Sequence, residues 1–206
     1  MKFPCSVKDQ ERVVTIDLPT TPTKIAMFIS GGLDSAILYY LLLKANAQQG
    51  RLHEITTFMV ERTEGSRYFA RLVIAHVHSQ FNIPYKEPVI VGDPSLPGHL
   101  QVMSGATSVR HMGYELLYGG VIDQRPEHII GYEPAPVEEN DTVKLPFKDL
   151  GKGHIIDLIL RHKQEAMFYI THSCSILEIG KCNSCNGCNE RNWGFAQCGL
   201  TDPGTI

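Results

Sequence analysis

The sequence predicts an α/β protein with a doubly wound parallel sheet and a small metal-binding segment near its C-terminus. Short apolar runs rich in β-formers alternate with longer segments that have helical periodicity. A glycine-rich turn at residues 30–35 lies between the first core strand and the first helix. Five of the six cysteines lie between Cys174 and Cys198, which sets the metal-binding segment apart from the rest.

The division of the chain follows from these features. We expect one domain, because 206 residues can bury one core. Within it, residues 1–23 form an N-terminal extension that includes a strand at 12–18, and residues 24–170 form the α/β core. Residues 171–206 form the metal-binding segment.

The core elements are predicted from periodicity and from turn residues. Residues 25–29 form a short buried strand, and the helix after it carries Leu38, Leu41, Leu42 and Ala45 on one face. Pro84 ends a second helix. The remaining strands are predicted at 53–60, 88–91, 128–132 and 168–171, and the remaining helices at 65–81, 104–121 and 150–162.

The turn Ser30–Ser35, with the string SGGLDS, is suited to a phosphate group. The first NH groups of a helix have no partner within the helix, and they carry the positive end of its dipole. Gly31 and Gly32 allow a close backbone approach, and Ser30 and Ser35 can donate hydroxyl hydrogen bonds. Asp34 would repel phosphates unless a cation lies between them, so we expect it to face Mg²⁺.

Composition excludes several functional classes. A formal net charge of −3 without a Lys/Arg run argues against strong unspecific nucleic-acid binding. No apolar run reaches the roughly 18–20 residues that span a bilayer. The first residues contain no apolar signal region. We therefore expect a protein of the reducing cytoplasm that does not bind membranes.

Four cysteines have the spacing of a metal site, C-x7-C-x2-C-x2-C. Two-residue gaps allow thiolates to converge on one ion, and four thiolates form a closed, structural zinc site. An iron–sulfur cluster could use similar ligands, and a redox C-x-x-C pair would need only two of them. The predicted zinc ligands are Cys174, Cys182, Cys185 and Cys188.

SGGLDS after a strand resembles the PP-loop of the ATP pyrophosphatases, which split ATP between its α- and β-phosphates. This resemblance implies an adenine nucleotide α-hydrolase type of fold, which is Rossmann-like. It also implies that the pyrophosphate end of ATP is bound by the turn: Ser30, Gly31, Gly32, Leu33, Asp34 and Ser35.

The C-terminal segment resembles the signature of the 7-cyano-7-deazaguanine (preQ0) synthase family, in its cysteine spacing and in a Gly-x-x-Asp-Pro string. That resemblance implies a homodimer in which Lys152 and Arg110 lie near the ATP phosphates. It also implies an acceptor pocket that contains Tyr132, Glu133 and Arg191. The implied reaction converts 7-carboxy-7-deazaguanine and ammonia to 7-cyano-7-deazaguanine with ATP, Mg²⁺ and a structural Zn²⁺, as in queuosine biosynthesis.

The middle of the chain departs from that family's pattern. Residues 59–62 read Met-Val-Glu-Arg where the family usually has Tyr-Gly-Gln, and His111 follows Arg110 where the family has Asn. Residues 131–137 stand where the family has a Tyr-Pro-Asp loop.

Two alternative functions therefore stay open. One is another PP-loop activity, such as stopping at the amide, using a different amine or thiolating tRNA. The other is a non-catalytic zinc module.

Overall fold

The computed structural model describes residues 1–60, 64–96, 98–122 and 138–204. An N-terminal hairpin is formed by β1 (Lys2–Val7) and β2 (Gln10–Thr15), which pair in antiparallel fashion. The strand predicted at 12–18 corresponds to β2, and its partner β1 was not predicted. β1 buries alternate side chains, including Phe3 and Cys5, as expected for a strand with one buried face.

Across the main sheet, the strands lie in the order β5 (Val89–Ile90), β4 (Glu54–Met59), β3 (Lys24–Phe28), β6 (Leu116–Tyr118) and β7 (Val143–Lys144). The sheet is parallel in every pairing that the described residues show. It therefore confirms the predicted α/β class. The strand predicted at 128–132 lies outside the described residues.

Helices cover both faces of this sheet. Successive side chains along each strand point to opposite faces, so they contribute to two cores, one on each side of the sheet. Ile25 and Met27 belong to the larger core, whereas Ala26 belongs to a smaller core that includes Val109. The helices are α1 (Leu33–Gln48), α2 (Glu64–Phe81), α3 (Gly98–His111), α4 (Lys152–Arg161), α5 (Met167–Ile170) and α6 (Asn186–Gln197). α3 supplies Val109 to the smaller core, and α1, α2 and α4 contribute to the larger one.

Two predictions of element type were wrong. The predicted helix at 104–121 ends at His111, and Gly113 has a φ of +81°. Residues 116–118 form β6, because pairing with β3 stabilises a three-residue run that carries no periodic signal of its own. The predicted strand at 168–171 is the short helix α5 and the residue after it. A four-residue apolar run fits either type, and periodicity cannot distinguish them.

The sheet order defines a switch point at β3, which pairs with β4 on one side and with β6 on the other. In open α/β sheets ligands bind at the carboxyl ends of the strands at such a point. The SGGLDS turn directly follows β3 there. Within the described ranges, every helix is too short or too polar to cross a membrane.

Candidate nucleotide site and candidate metal site

The bend at residues 30–32 has a fixed backbone shape. Gly31 has a φ of +79°, and a Cβ atom there would lie 2.9 Å from Ser66 O and from Ala70 N of α2. A larger residue would therefore be strained both by its backbone conformation and by contact with α2. Ser30 Oγ lies 3.0 Å from Ser35 Oγ, and the NH of Ser30 donates to Ser35 Oγ at 3.1 Å. These bonds hold the bend without any ligand.

The start of α1 is suited to an anion. Gly32 is its N-cap and has no side chain that could bond the first NH groups of the helix. The Gly32 carbonyl accepts from Ser35 Oγ at 3.2 Å, so this hydroxyl braces the bend from inside. Ser30 itself is exposed at the surface of the bend. The predicted phosphate-binding groups therefore lie together at the carboxyl end of β3.

Lys152 brings a buried positive charge to the same place. Its side chain is 6% exposed, and its Nζ donates to both carboxylate oxygens of Asp34, at 2.6 and 2.8 Å. Glu190 Oε1 of α6 lies 3.6 Å from the same Nζ. A buried ammonium needs such partners to offset its desolvation. For Asp34 to bind a cation, its ion pair with Lys152 has to open.

A second pair of glycines, at the carboxyl end of β6, was missed as part of this site. A Cβ atom on Gly120 would lie 2.9 Å from the Asp34 carbonyl carbon and from the Ser35 nitrogen. The segment after β6 thus packs directly on the start of α1. A sequence pattern could have indicated this second glycine pair, because Gly119-Gly120 comes after an apolar run, as Gly31-Gly32 does.

Arg110 lies at the opposite edge of the sheet. It is in the last turn of α3, and its guanidinium donates to Thr142 Oγ1 at 3.2 Å, one residue before β7 begins. Close by in sequence, Glu115 NH donates to the carbonyl of Lys24, the first residue of β3. These contacts are at the amino ends of the strands. The fold therefore places Arg110 away from the bend, although the resemblance implied that it lies near the ATP phosphates.

The four predicted cysteines converge. Their Sγ atoms all lie within 4.8 Å of one another, which is a group able to hold one metal ion. Backbone NH groups point at the sulfurs, from Leu177 to Cys174 at 3.2 Å and from Ser175 to Cys185 at 3.4 Å. Hydrogen bonds of this kind stabilise thiolates, the form that binds metals. The donor set therefore fits a closed four-thiolate site.

Two of the four clustered cysteines have very different surroundings. The hydroxyl and NH of Ser184, with the NH of Cys185, lower the pKa of Cys182 to about 6. Burial raises the pKa of Cys188 to about 12. Cys198 lies outside the cluster, and its Sγ bonds to the Gly153 carbonyl at 3.3 Å. This cysteine therefore packs between α6 and α4, as a residue without a ligand role would.

The chain between α5 and Cys174 connects the metal site to the bend. The NH of His172 donates to the Gly31 carbonyl at 2.9 Å, and its ring stacks on Phe69 of α2 at a centroid distance of 4.7 Å. Burial lowers the pKa of His172. Only one residue separates His172 from Cys174 of the candidate metal site, so the two candidate sites share one short segment.

Comparisons with known proteins support the resemblance seen in the motifs. No protein-family model matches the chain. A 7-cyano-7-deazaguanine synthase from Oceanobacillus iheyensis is 32% identical over 91 residues, which cover 42% of this chain and 40% of that protein. A synthase of the same name from Azotobacter vinelandii is 36% identical over 96 residues, 42% of each chain. The chain resembles the 7-cyano-7-deazaguanine synthases. It spans about two fifths of the length of these curated relatives.

Among solved structures, the chain is similar to the U34-tRNA thiolase NcsA from Methanococcus maripaludis with its 4Fe-4S cluster. The TM-score is 0.46 at 18% identity, over 75% of this chain and 60% of that chain.

The predicted acceptor residues are only partly described. Tyr132 and Glu133 lie outside the described residues. Arg191 is 3% exposed, with Nε 3.0 Å from Asp202 Oδ1 and Nη1 3.0 Å from Thr171 Oγ1. It also donates to the Phe168 carbonyl. These bonds tie α6 to the end of α5 and to the last described residues, which favours a structural role for Arg191.

Proposed function

We propose that this chain binds ATP with Mg²⁺ at the SGGLDS bend and uses it to adenylate a carboxylate on a 7-deazaguanine. The full reaction would convert 7-carboxy-7-deazaguanine and ammonia to 7-cyano-7-deazaguanine. The observation that carries the proposal is the meeting of the bend with the buried Lys152 ammonium at the switch point of the sheet. The named synthases that the chain resembles support this choice of acceptor.

The bend would bind the phosphates through the first NH groups of α1. Ser30 and Ser35 would add hydroxyl donors once their hydroxyls turn from each other and from the Gly32 carbonyl. Lys152 would neutralise the departing pyrophosphate once Asp34 has turned from it to the cation. Mg²⁺, when bound, would supply further charge neutralisation between the phosphates. These groups already lie together at the carboxyl end of β3, and ATP binding would require Asp34 to turn from Lys152 to the cation.

The chemistry follows from the poor leaving group of a carboxylate. A carboxylate oxygen attacks the α-phosphorus of ATP, and pyrophosphate leaves. Ammonia then attacks the acyl carbon, releasing AMP and a proton, which gives the amide. The amide oxygen attacks a second ATP, pyrophosphate leaves again, and loss of AMP and a proton gives the nitrile. The protein has to align the reactants and stabilise phosphate charge.

The four-cysteine site would hold one Zn²⁺ in a structural role, because a closed thiolate shell leaves no position for substrate. Cys174 would fix the segment that ends at the bend, and Cys185 and Cys188 would fix the start of α6. An iron–sulfur cluster is the other occupant that this donor set allows.

The acceptor would bind beside the bend, and Tyr132 and Glu133 are the residues that we propose contact it. We further propose that the chain acts as a homodimer in the cytoplasm, on small molecules and without stable nucleic-acid binding. Changing Tyr132 or Glu133 to Ala should then alter the affinity for the acceptor more than the affinity for ATP.

The test is mass spectrometry of the product formed from 7-carboxy-7-deazaguanine, ATP and ammonium. We expect the nitrile, with release of AMP and pyrophosphate. An amide as the final product would restrict the activity to a single adenylation. If nucleotide breakdown required a different acceptor, the proposed ATP site would be supported and the proposed deazaguanine acceptor would be contradicted. The absence of any nucleotide breakdown with any acceptor would contradict the proposal.

A further inference from the structure

One face of α6 packs against the lysine of the candidate nucleotide site. Glu190 and Gly194 are four residues apart, so they lie on the same face of the helix. Glu190 Oε1 is 3.6 Å from Lys152 Nζ. A Cβ atom on Gly194 would lie 2.8 Å from Lys152 Cβ, so the glycine lets α6 approach the stem of this lysine closely.

The same helix begins inside the four-cysteine cluster. Cys185 is its N-cap and accepts a bond from the NH of Cys188, which lies in the first turn. Glu190 follows Cys188 by two residues. The cluster therefore lies at the start of the helix that carries Glu190, within two turns of this carboxylate.

We propose that Glu190 is a positioning residue for Lys152, an inference that rests on the proposed function. Lys152 lies between two carboxylates, those of Asp34 and Glu190. Binding of MgATP would take Asp34 away from the lysine, because Asp34 would then face the cation. Glu190 remains as the carboxylate that keeps the ammonium directed at the phosphates. Its contribution to ATP binding acts through Lys152 and not through contact with the nucleotide.

The locations of the two carboxylates support these separate roles for Asp34 and Glu190. The Asp34 side chain is 21% exposed and belongs to the bend, whereas Glu190 is 15% exposed and belongs to a helix fixed at its start. A buried ammonium that lost both carboxylates would pay a large desolvation cost. Retaining one of them allows Lys152 to stay charged while it turns from Asp34 to phosphate.

The test is a double-mutant cycle on MgATP affinity, measured by calorimetry on the full chain. We expect Glu190→Gln to weaken binding about fivefold, and to have no further effect when Lys152 is already Met. Glu190→Asp should lose less, because it keeps the carboxylate. Glu178→Gln is the matched control, because Glu178 is an exposed acid in the same segment. Metal content and melting temperature should be the same in Glu190→Gln and in the wild type.

The outcomes separate the two proposals. Equal losses with and without Lys152, or unchanged or tighter binding by Glu190→Gln, would overturn the positioning role while leaving the ATP site in place. A wild-type chain that does not bind MgATP would contradict the proposed function, and the positioning role would fall with it. Gly194→Ala gives an independent check, because its methyl group displaces the stem of Lys152. It should weaken MgATP binding, and unchanged binding would count against the role of α6.

Discussion

Ser30 and Asp34 carry the most specific expectations at the scale of single residues. Their side chains form the rim of the bend, and the larger core is built from other residues. Changing either to Ala should lower AMP formation at least about 100-fold, because charge stabilisation by positioned donors and cations is lost. Turnover and thermal unfolding should be measured together. Ser79→Ala, an exposed serine at the end of α2, is the control. Wild-type turnover in both site variants would refute the phosphate role.

His162 should make stability depend on pH. Burial, with the ammonium of Lys44 nearby, lowers the pKa of His162 from 6.5 to about 4. Between these values the unfolded chain binds more protons than the folded one, so the free energy of unfolding falls as pH falls. The stabilisation is complete above about pH 6.5, the unfolded pKa of histidine, and decreases as pH falls toward the folded value.

The variant His162→Gln isolates this contribution, because glutamine does not titrate. Urea unfolding at pH 7 and at pH 5 should show a smaller loss of stability in the variant than in the wild type. An equal loss in the two proteins would mean that His162 does not contribute to the pH dependence.

Residue-level prediction succeeded where the chemistry is local. The four cysteines converge as their spacing predicted, because two-residue gaps restrict where the sulfurs can lie. Arg110 lies in the last turn of α3 and away from the bend, and its position depends on where α3 begins, a boundary that the sequence does not give. Arg191 has most of its donors engaged by Asp202, Thr171 and Phe168, contacts that no local pattern indicates.

At the scale of elements, the segment after β6 packs closely against the start of α1. Gly120→Ala should destabilise the fold by about 1–3 kcal/mol, because its methyl group would overlap the backbone of residues 34 and 35. Gly119→Ala is the matched neighbour. A Cβ atom there approaches only the flexible end of Leu145, at 3.2 Å, so this variant should lose less. Chemical denaturation of both variants measures the difference, and equal stability would mean that the two segments do not pack this closely.

The C-terminal segment should depend on its metal. Metal analysis should find about one zinc per chain in the wild type, none after Cys185→Ser, and the wild-type content after Cys198→Ser. Cys198 is the control because it lies outside the cluster. Iron with inorganic sulfide in place of zinc would indicate a cluster. Folded wild-type protein without metal would contradict the site.

Elements with strong signals were predicted correctly, and the two-residue β5 lies within the strand predicted at 88–91, but β6 and β7 were not predicted. The apolar run of β3 and the long helical pattern of α2 correspond to the predicted elements. β6 has three residues and β7 has two, and both form because neighbouring strands supply hydrogen bonds. Tertiary pairing of this kind leaves almost no trace in the local sequence.

For the whole molecule, the parallel sheet brings together parts that are far apart in the chain. Lys152 and Asp34 are 118 positions apart, yet their charges meet at the carboxyl end of β3. The sequence predicted that a site would form at this edge, because parallel strands end together. It could not predict that α6 would contribute Glu190, since that contact depends on how α6 crosses α4.

The most direct measurement is a crystal structure with Mg²⁺ and an ATP analogue whose bond between the α- and β-phosphates resists cleavage. We expect its phosphates at the NH groups of residues 31–35, with Lys152 turned toward them and Asp34 facing the cation. An empty bend, or a nucleotide bound elsewhere while the ion pair of Asp34 with Lys152 stays closed, would contradict the account.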